Sequence, residues 1–203
     1  IDIELQLKDL ETIESRYAKA EKAARTSGDR DSKLLFEILK RYKAALEQGK
    51  SARTVEFESK EEIKMAKELC LLTSKPVLYV CNVDEASAKD GNAYTKQVEE
   101  AAKAEGAEML IVAAKIESDI AEFESYEEKQ LFLSELGLEQ SGVARLIQAA
   151  YHLLDLQTFL TAGEQEVKAW TFTRGWKAPQ CAGVIHSDFE KGFIRAAVIK
   201  YDD

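Results

Sequence analysis

Glycine and proline are scarce in this chain, which has 10 Gly and 2 Pro among its 203 residues. Their scarcity argues against a loop-rich or disordered protein, because such proteins are enriched in both residues. Hydrophobic residues make up 45% of the chain, enough for packed cores, and charged residues make up 32%, which suits long solvated helices. The length allows one large domain or two small ones.

Cysteine and histidine are also rare. Cys70, Cys81 and Cys181 are widely spaced and odd in number. We interpret them as buried, reduced thiols of a cytosolic protein, not as a disulfide framework or a zinc site. The two histidines, His152 and His186, make a poor metal site, and no Ser or Cys nucleophile forms a recognisable motif with them. We expect His152 to be a partly buried helical residue.

Basic residues are outnumbered by acidic ones, 28 to 37, and the formal net charge is −9. This balance argues against broad attachment to nucleic acid, so no DNA partner is expected. The balance is still compatible with a local basic patch. No apolar run reaches the ~18 residues of a membrane span, and no charged-then-apolar leader opens the chain. We therefore expect a cytoplasmic protein.

The chain is organised around residues 75–85, KPVLYVCNVDE. The apolar run 77–81 predicts a strand buried on both faces, as in parallel sheets. Residues 82–85, here called the NVDE loop, then place an amide and carboxylates where open α/β sheets bind ligands. Asn82 has a donor and an acceptor for the N6/N7 edge of adenine, but an Asn at a strand end is also a common turn former.

Before this strand the pattern is helical. Residues 1–52 carry two apolar stripes separated by turn formers at 27–31, with Asp31 or Ser32 as a cap for the second helix and Gly49 as its end. The stripes predict a coiled-coil hairpin. It is either a spacer or packing element or an arm that binds a partner.

After the hairpin the pattern alternates between strand and helix, which is typical of a parallel sheet. We predict a short extended segment at residues 53–59 and strands at 77–81 and 108–113. The predicted helices are residues 61–72, 93–105, 117–136 and 141–154. Beyond residue 156 we predict strands at 158–161 and 167–173, a helix at 179–187 and a strand at 193–199, the order in which a β-grasp fold begins.

Three stretches carry a family resemblance: residues 75–85, residues 113–125 (AAKIESDIAEFES) and residues 153–199. Together they resemble the Obg-like ATPase (YchF) family of P-loop proteins, in which NxxE replaces the NKxD motif of ordinary GTPases. The resemblance implies an α/β fold: the C-terminal part of a parallel-sheet P-loop NTPase domain with an inserted α-helical coiled-coil hairpin, followed by an incomplete β-grasp (TGS) domain. The domains would span residues 1–52, 53–156 and 157–203.

The same resemblance implies a site for the base of ATP. Asn82, Val83 and Glu85 map onto the base-recognition motif, and Ala113, Ala114 and Lys115, here called the alanine turn, map onto the second loop that flanks the base. Glu85 discriminates between bases or only shapes its loop, and Lys115 covers the purine or is simply solvated. No G-x-x-x-x-G-K-[ST] occurs in the 203 residues. We therefore expect the C-terminal part of a larger ATPase whose catalytic and Mg²⁺-binding residues lie elsewhere.

A second candidate surface lies near the end of the chain. Arg174, Trp176 and Lys177 alternate cation and aromatic, a pattern that stacks on RNA bases but also occurs in plain surface turns. His186 lies in the TGS-like stretch and suggests a hydrogen-bonded or recognition loop. The resemblance implies association with the ribosome or its RNA. The alternative is a non-enzymatic adapter in which the hairpin and TGS-like part dock a ribosomal or regulatory partner, and a P-loop upstream would decide between the two.

Overall fold

The computed structural model describes residues 1–200 and separates the chain into two units at Val77. The elements of the first unit are α1 (Asp2–Thr26), α2 (Arg30–Glu47) and α3 (Lys60–Glu68). Those of the second are β1 (Leu78–Asn82), α4 (Ala93–Glu105), β2 (Glu108–Val112), α5 (Ala114–Glu122), α6 (Tyr126–Glu135), α7 (Gly142–Leu153), β3 (Leu156–Ala162), β4 (Val167–Thr173), α8 (Ala178–Ile185) and α9 (Ser187–Lys191).

In the first unit α1 and α2 pack as an antiparallel pair. Glu14 on α1 pairs with Lys43 on α2 at 3.1 Å. Tyr17, further along α1, packs against Phe36, which comes earlier on α2, with ring centroids 5.2 Å apart. The predicted stripes largely form the core, where the most deeply buried side chains are Ile13, Ile38 and Leu39. Leu7 follows the apolar spacing of the first stripe, but it is 57% exposed.

The turn between these helices caps α2 earlier than predicted. Asp29, not Asp31 or Ser32, is the N-cap, and its carboxylate accepts a hydrogen bond from the Ser32 backbone N–H at 3.0 Å. Gly28 adopts φ +64° just before this cap, and the helix begins two or three residues sooner than predicted. Gly49 lies just past the end of α2 with φ +71°, as predicted.

In the second unit β1 and β2 pair in parallel, from Leu78 opposite Glu108 to Asn82 opposite Val112, which confirms the predicted βαβ unit. The helix between them, α4, has its predicted bounds and ends at Gly106 with φ +68°. The prediction that β1 is buried on both faces is wrong, since Val80 is 46% exposed. Val80 lies on the same face of β1 as Asn82, and within residues 1–200 the elements packed on that face leave both exposed.

The single helix predicted at 117–136 is two helices, α5 and α6. Phe123 is extended, and Ser125 then begins α6 by accepting a hydrogen bond from the Glu128 N–H at 3.1 Å. Because the Glu128 carboxylate accepts from the Ser125 N–H in return, this is a capping box. The helical periodicity concealed the break, and the S-x-x-E pattern marked it.

The end of the chain agrees only in part with the predicted β-grasp order. The antiparallel pair β3 and β4 is present, and the predicted helix at 179–187 ends at Ile185, before α9. Residues 193–199, predicted as a strand, form no strand. A segment becomes a strand only when its backbone pairs with another, and this one pairs with neither β3 nor β4.

Three further expectations concern single residues, the domain limits and membranes. The cysteines are free, but the prediction that they are buried is wrong for Cys70, which is exposed, and Cys81 and Cys181 are only partly buried. The domain limits at residues 52 and 156 remain predictions; the first unit itself continues through α3 to Val77. No helix within the part of the chain described is long and apolar enough to span a membrane.

Candidate functional site

The parallel register brings the NVDE loop and the alanine turn to one edge of the sheet. Asn82 and Val112 are partners in the register, so the loop after β1 and the turn after β2 leave the sheet side by side. This carboxyl edge is where open α/β sheets bind ligands. The two sequence motifs are therefore neighbours in the fold.

A hydrogen bond accepted by the side chain of Asn82 joins the two segments. Its Oδ1 accepts from the backbone N–H of Ala114 at 3.1 Å, and the backbone N–H of Val83 donates to the carbonyl oxygen of Val112 at 2.9 Å. Asn82 is exposed, and its Nδ2 group makes no hydrogen bond to other described residues. The amide thus has its acceptor engaged and its donor available to a ligand.

The alanine turn forms the N-terminus of α5. Ala113 is 5% exposed and caps the helix without a side-chain hydrogen bond, Ala114 begins the helix, and Lys115 is exposed. The first N–H groups of a helix have no partner within it. Asn82 supplies an acceptor to one of them from the neighbouring strand, where Ala113 has no hydroxyl to offer.

Within the NVDE loop, Asp84 and Glu85 have different environments. The Asp84 carboxylate accepts from the Ser87 N–H at 2.9 Å and caps a 3₁₀ turn, Glu85–Ser87. Hydrogen bonds from the side chain and backbone of Ser87 hold the pKa of Asp84 below its usual value. Glu85 begins the turn and is exposed; its backbone carbonyl accepts from the Ala88 N–H, but its carboxylate forms no hydrogen bond or ion pair with other residues in the described range. Asp84 therefore shapes the loop and leaves the Glu85 carboxylate free.

Two side chains behind the alanine turn were not predicted. Glu117 on α5 accepts hydrogen bonds from the backbone N–H groups of Gly142 and Val143, at 2.6 and 3.1 Å. Arg145 on α7 donates through Nη2 to the carbonyl oxygen of Ile111 at 2.8 Å. Glu117 lies inside the family-like stretch 113–125, which was the one available signal. Nothing in the sequence around Arg145 indicated its contact with β2.

The second candidate surface is not assembled by contacts. Arg174 forms an ion pair with Asp155 at 3.3 Å and also donates its backbone N–H to the Asp155 carbonyl oxygen. Trp176 is 42% exposed, and Lys177 is the exposed N-cap of α8. No contact within the described chain joins these residues to His186.

The histidines have local partners. His186 accepts from the Asp188 N–H through Nδ1 at 3.2 Å and caps α9. His152 lies on a helix, as predicted, but is exposed and not partly buried, because its Nδ1 lies 2.9 Å from a Glu108 carboxylate oxygen at the surface. In residues 1–200 no three His, Cys, Asp or Glu side chains are grouped to hold a metal ion.

The sequence resembles known proteins along its whole length. A family model called YchF-GTPase_C, described as a protein of unknown function (DUF933), matches residues 156–203. The "Ribosome-binding ATPase YchF" of Bacillus subtilis (strain 168) is 54% identical over 205 residues, covering 100% of this chain and 55% of that protein. The protein of the same name from Escherichia coli O157:H7 is 43% identical over 203 residues, with the same two coverages. The chain therefore spans about half the length of the curated relatives it matches.

A solved structure shares the fold. The YchF GTPase of Schizosaccharomyces pombe superposes with a TM-score of 0.83 and 31% sequence identity, covering 96% of this chain and 53% of that one. The α/β architecture described above is thus similar to that protein's over nearly the whole chain.

Proposed function

This chain belongs to the YchF family, and from that premise we propose that it supplies the base-recognition part of a larger P-loop enzyme that hydrolyses ATP in preference to GTP. The observation that carries the proposal is the hydrogen bond from the Ala114 N–H to Asn82 Oδ1. It joins the two segments expected to hold the base, and it leaves Asn82 Nδ2 as a donor. A purine presents an acceptor at N7 for such a donor.

Glu85 is the candidate for choosing between bases. Guanine presents N1–H and N2–H donors to a short carboxylate, whereas adenine presents an acceptor at N1. Glu85 is one methylene longer than the aspartate of NKxD, so it does not occupy the same coplanar position. Its carboxylate is exposed and the loop is already fixed by Asp84, which supports a role in ligand discrimination for Glu85.

The remaining residues of the site contribute backbone groups and the aliphatic part of a lysine side chain. Val83 packs beside the base and is tied to Val112 by its N–H, while Ala113 and Ala114 present the helix N-terminus. Lys115 is exposed at the same turn, so its stem is free to cover the purine.

The chemistry of phosphoryl transfer is assigned to residues outside this chain. Such transfer depends on a P-loop lysine, Mg²⁺ and a group that orients water. The described residues hold no group of side chains that fits a metal ion, so we place the Mg²⁺ ligands elsewhere in the enzyme. Catalytic residues are accordingly assigned to none of these positions.

For the partner we propose the ribosome or its RNA, in the cytoplasm, because relatives that match the whole chain are named ribosome-binding. The helix pair α1–α2, proposed as the coiled-coil hairpin, and the TGS-like part from residue 157 are the proposed docking elements. Arg174, Trp176, Lys177 and His186 are candidate contacts, and all four are exposed. Since Arg174 is paired with Asp155, we expect Trp176 and Lys177 to contribute more than Arg174.

The test is a competition titration of ATP and GTP on the longer protein that contains these residues. Asn82→Ala should weaken both nucleotides equally, because N7 is common to them. Glu85→Asp should shift preference toward GTP by about tenfold, since charge-assisted hydrogen bonds to guanine are worth about 1.5–3 kcal/mol. The matched control is Glu100→Asp at an exposed position of α4, which should leave the ratio of GTP to ATP affinity unchanged.

The outcomes separate the parts of the proposal. If Asn82→Ala leaves both affinities intact, the base site is not at this edge. If only Glu85→Asp is silent, specificity comes from the backbone around Val83 and Ala114. A longer protein with no P-loop would instead favour the adapter.

A further inference from the structure

Two charged side chains on the far side of the alanine turn connect it to α7. Glu117 on α5 and Arg145 on α7 are here together called the clamp. Neither contacts Asn82, yet each bonds to backbone close to the segment that Asn82 contacts. Both side chains therefore bond to the backbone that surrounds the alanine turn.

The Glu117 half of the clamp fixes α5 to the N-terminus of α7. Its two carboxylate oxygens accept hydrogen bonds from the N–H groups of Gly142 and Val143, and the Ser141 hydroxyl accepts one from the N–H of Ala144 at 3.1 Å. The first three N–H groups of α7 are therefore satisfied, two of them by a charged acceptor, which makes the stronger kind of hydrogen bond. A negative charge is also favourable at a helix N-terminus.

Gly142 allows this approach. A Cβ added there would lie 2.9 Å from Glu117 Oε1 and 3.0 Å from Val112 Cγ1. Any larger residue would have to displace the carboxylate or the last residue of β2. The glycine thus lets α7 sit close against both α5 and β2.

The Arg145 half fixes α7 to β2. In a parallel strand successive carbonyl groups point to alternate sides. Because the Val112 carbonyl bonds to Val83 on the β1 side, the Ile111 carbonyl faces the other edge of β2, where Arg145 Nη2 donates to it. The guanidinium thereby satisfies the strand edge two residues before the alanine turn, and its Nε is buried.

We propose that the clamp holds the alanine turn in register with Asn82, making Glu117 and Arg145 positioning residues for the purine base. The inference rests on the proposed function. The clamp fixes both ends of the turn, the end of β2 through Arg145 and the first turn of α5 through Glu117. The Ala114 N–H is then held where it orients the Asn82 amide, with Nδ2 available to N7 of a purine nucleotide.

The decisive experiment is a double-mutant cycle on the longer protein, with Asn82→Ala, Glu117→Ala and the pair together. Affinities for ATP, GTP and inorganic tripolyphosphate are measured by calorimetry. Glu117→Ala should weaken ATP and GTP alike, by about tenfold, and leave tripolyphosphate unchanged, because the clamp acts on the base only. The loss caused by Asn82→Ala should shrink at least about threefold when Glu117 is already absent, as expected for coupled positions.

Two further variants and a control separate positioning from folding. Glu117→Gln keeps one acceptor and should restore part of the affinity, whereas Gly142→Ala should mimic the loss by displacing the carboxylate. The control is Glu128→Ala, which removes a carboxylate from the capping box of α6. It should lower the melting temperature without changing nucleotide affinity.

Each outcome has a distinct meaning. If Asn82→Ala does not weaken ATP, the proposed function fails and the clamp has no site to position. If Asn82→Ala weakens ATP but the Glu117 effect is fully additive, or extends equally to tripolyphosphate, the clamp is overturned and the base site stands. If Glu117→Ala does not fold, Glu117→Gln and Arg145→Lys take its place, and unchanged nucleotide affinity in both overturns the clamp.

Discussion

Replacing Asp9 by alanine should destabilise the first unit by about 3–5 kcal/mol. Asp9 lies on α1, where its side chain is 2% exposed. Its Oδ1 accepts the Leu72 N–H at 2.7 Å, and its Oδ2 accepts the N–H and the hydroxyl of Thr73 at 2.7 and 2.6 Å. One carboxylate therefore fixes the segment that follows α3 to the middle of α1.

The magnitude follows from these three bonds. Truncation leaves three donors without their acceptor, and a buried unsatisfied donor costs about 1–3 kcal/mol. The loss falls in the lower part of that sum, because removing the carboxylate also removes the cost of burying a charge. A unit of this length, Ile1–Val77, has a total stability of roughly 4–12 kcal/mol. Asp9→Ala should thus bring the first unit close to unfolding.

Asparagine tests the geometry of the same site. Its amide keeps one acceptor, which can serve Leu72, but its NH₂ group would face the two donors of Thr73. We therefore expect Asp9→Asn to recover less than half of the stability that alanine loses. Equal stability of Asp9→Asn and the wild type would contradict the assigned hydrogen bonds.

The measurement is urea unfolding of the 203-residue chain followed by far-UV circular dichroism and by tryptophan fluorescence. Both tryptophans, Trp170 and Trp176, lie in the second unit, so a loss confined to the dichroism signal locates the damage in the first. The matched control is Glu11→Ala on the same helix, which breaks only an exposed pair with Lys8 and should cost less than about 1 kcal/mol. If Asp9→Ala costs no more than this control, the reasoning is wrong.

Three other outcomes are expected. The chain of residues 1–203 should bind ATP more weakly than micromolar in calorimetry, because a base pocket offers only a few hydrogen bonds of about 1 kcal/mol each. Leu39→Asp, at a fully buried position, should cost several kcal/mol in urea unfolding, since it buries an unpaired charge. The N–H of Ser59 lowers the pKa of Glu62, so the stabilisation by Glu62 is present above the usual glutamate pKa and is lost as pH falls through the lowered value. Relative to Glu62→Gln, the wild type should lose stability as the pH falls below the usual glutamate pKa of about 4.3 and through the lowered value.

The order of strands and helices from β1 to β4 could be predicted because the local sequence signals agree with the way these segments pack in the fold. Residues 93–105 form α4 with the predicted bounds, since Asn92 caps it and Gly106 ends it in a left-handed conformation. The break between α5 and α6 was missed because hydrophobic periodicity continues across it. There a local cap at Ser125 overrides the pattern.

The strand predicted at 193–199 failed for a different reason. Its apolar residues, interrupted only by Arg195, satisfy a strand pattern, but a pattern does not supply a neighbouring backbone. Ile194 is 91% exposed and Val198 is 86% exposed, so the segment has no covering surface within residues 1–200. Strand formation depends on pairing with another backbone, and the sequence of the segment alone does not determine whether such a partner is present.

For the candidate site, the sequence motifs located the two segments but not what supports them. Asn82 and Ala114 are 32 residues apart and meet through one hydrogen bond. The proximity of the two segments follows from parallel pairing and a resemblance, both available from sequence, whereas the hydrogen bond itself was not predicted. The contacts of Glu117 with Gly142 and of Arg145 with Ile111 span 25 and 34 residues. They depend on how α7 packs, which no local pattern specifies.

The distribution of these bonds also explains why alanine at position 113 is compatible with the site. A hydroxyl there would help to satisfy the N-terminus of α5, and this chain has none. The acceptor comes instead from Asn82, while Val83 and Arg145 bond the last two carbonyl groups of β2. The turn is then held through its backbone and not through its own side chains. A site built in this way would offer the same backbone to any purine. We therefore propose that the choice between adenine and guanine depends on Glu85, the side chain that none of these bonds engages.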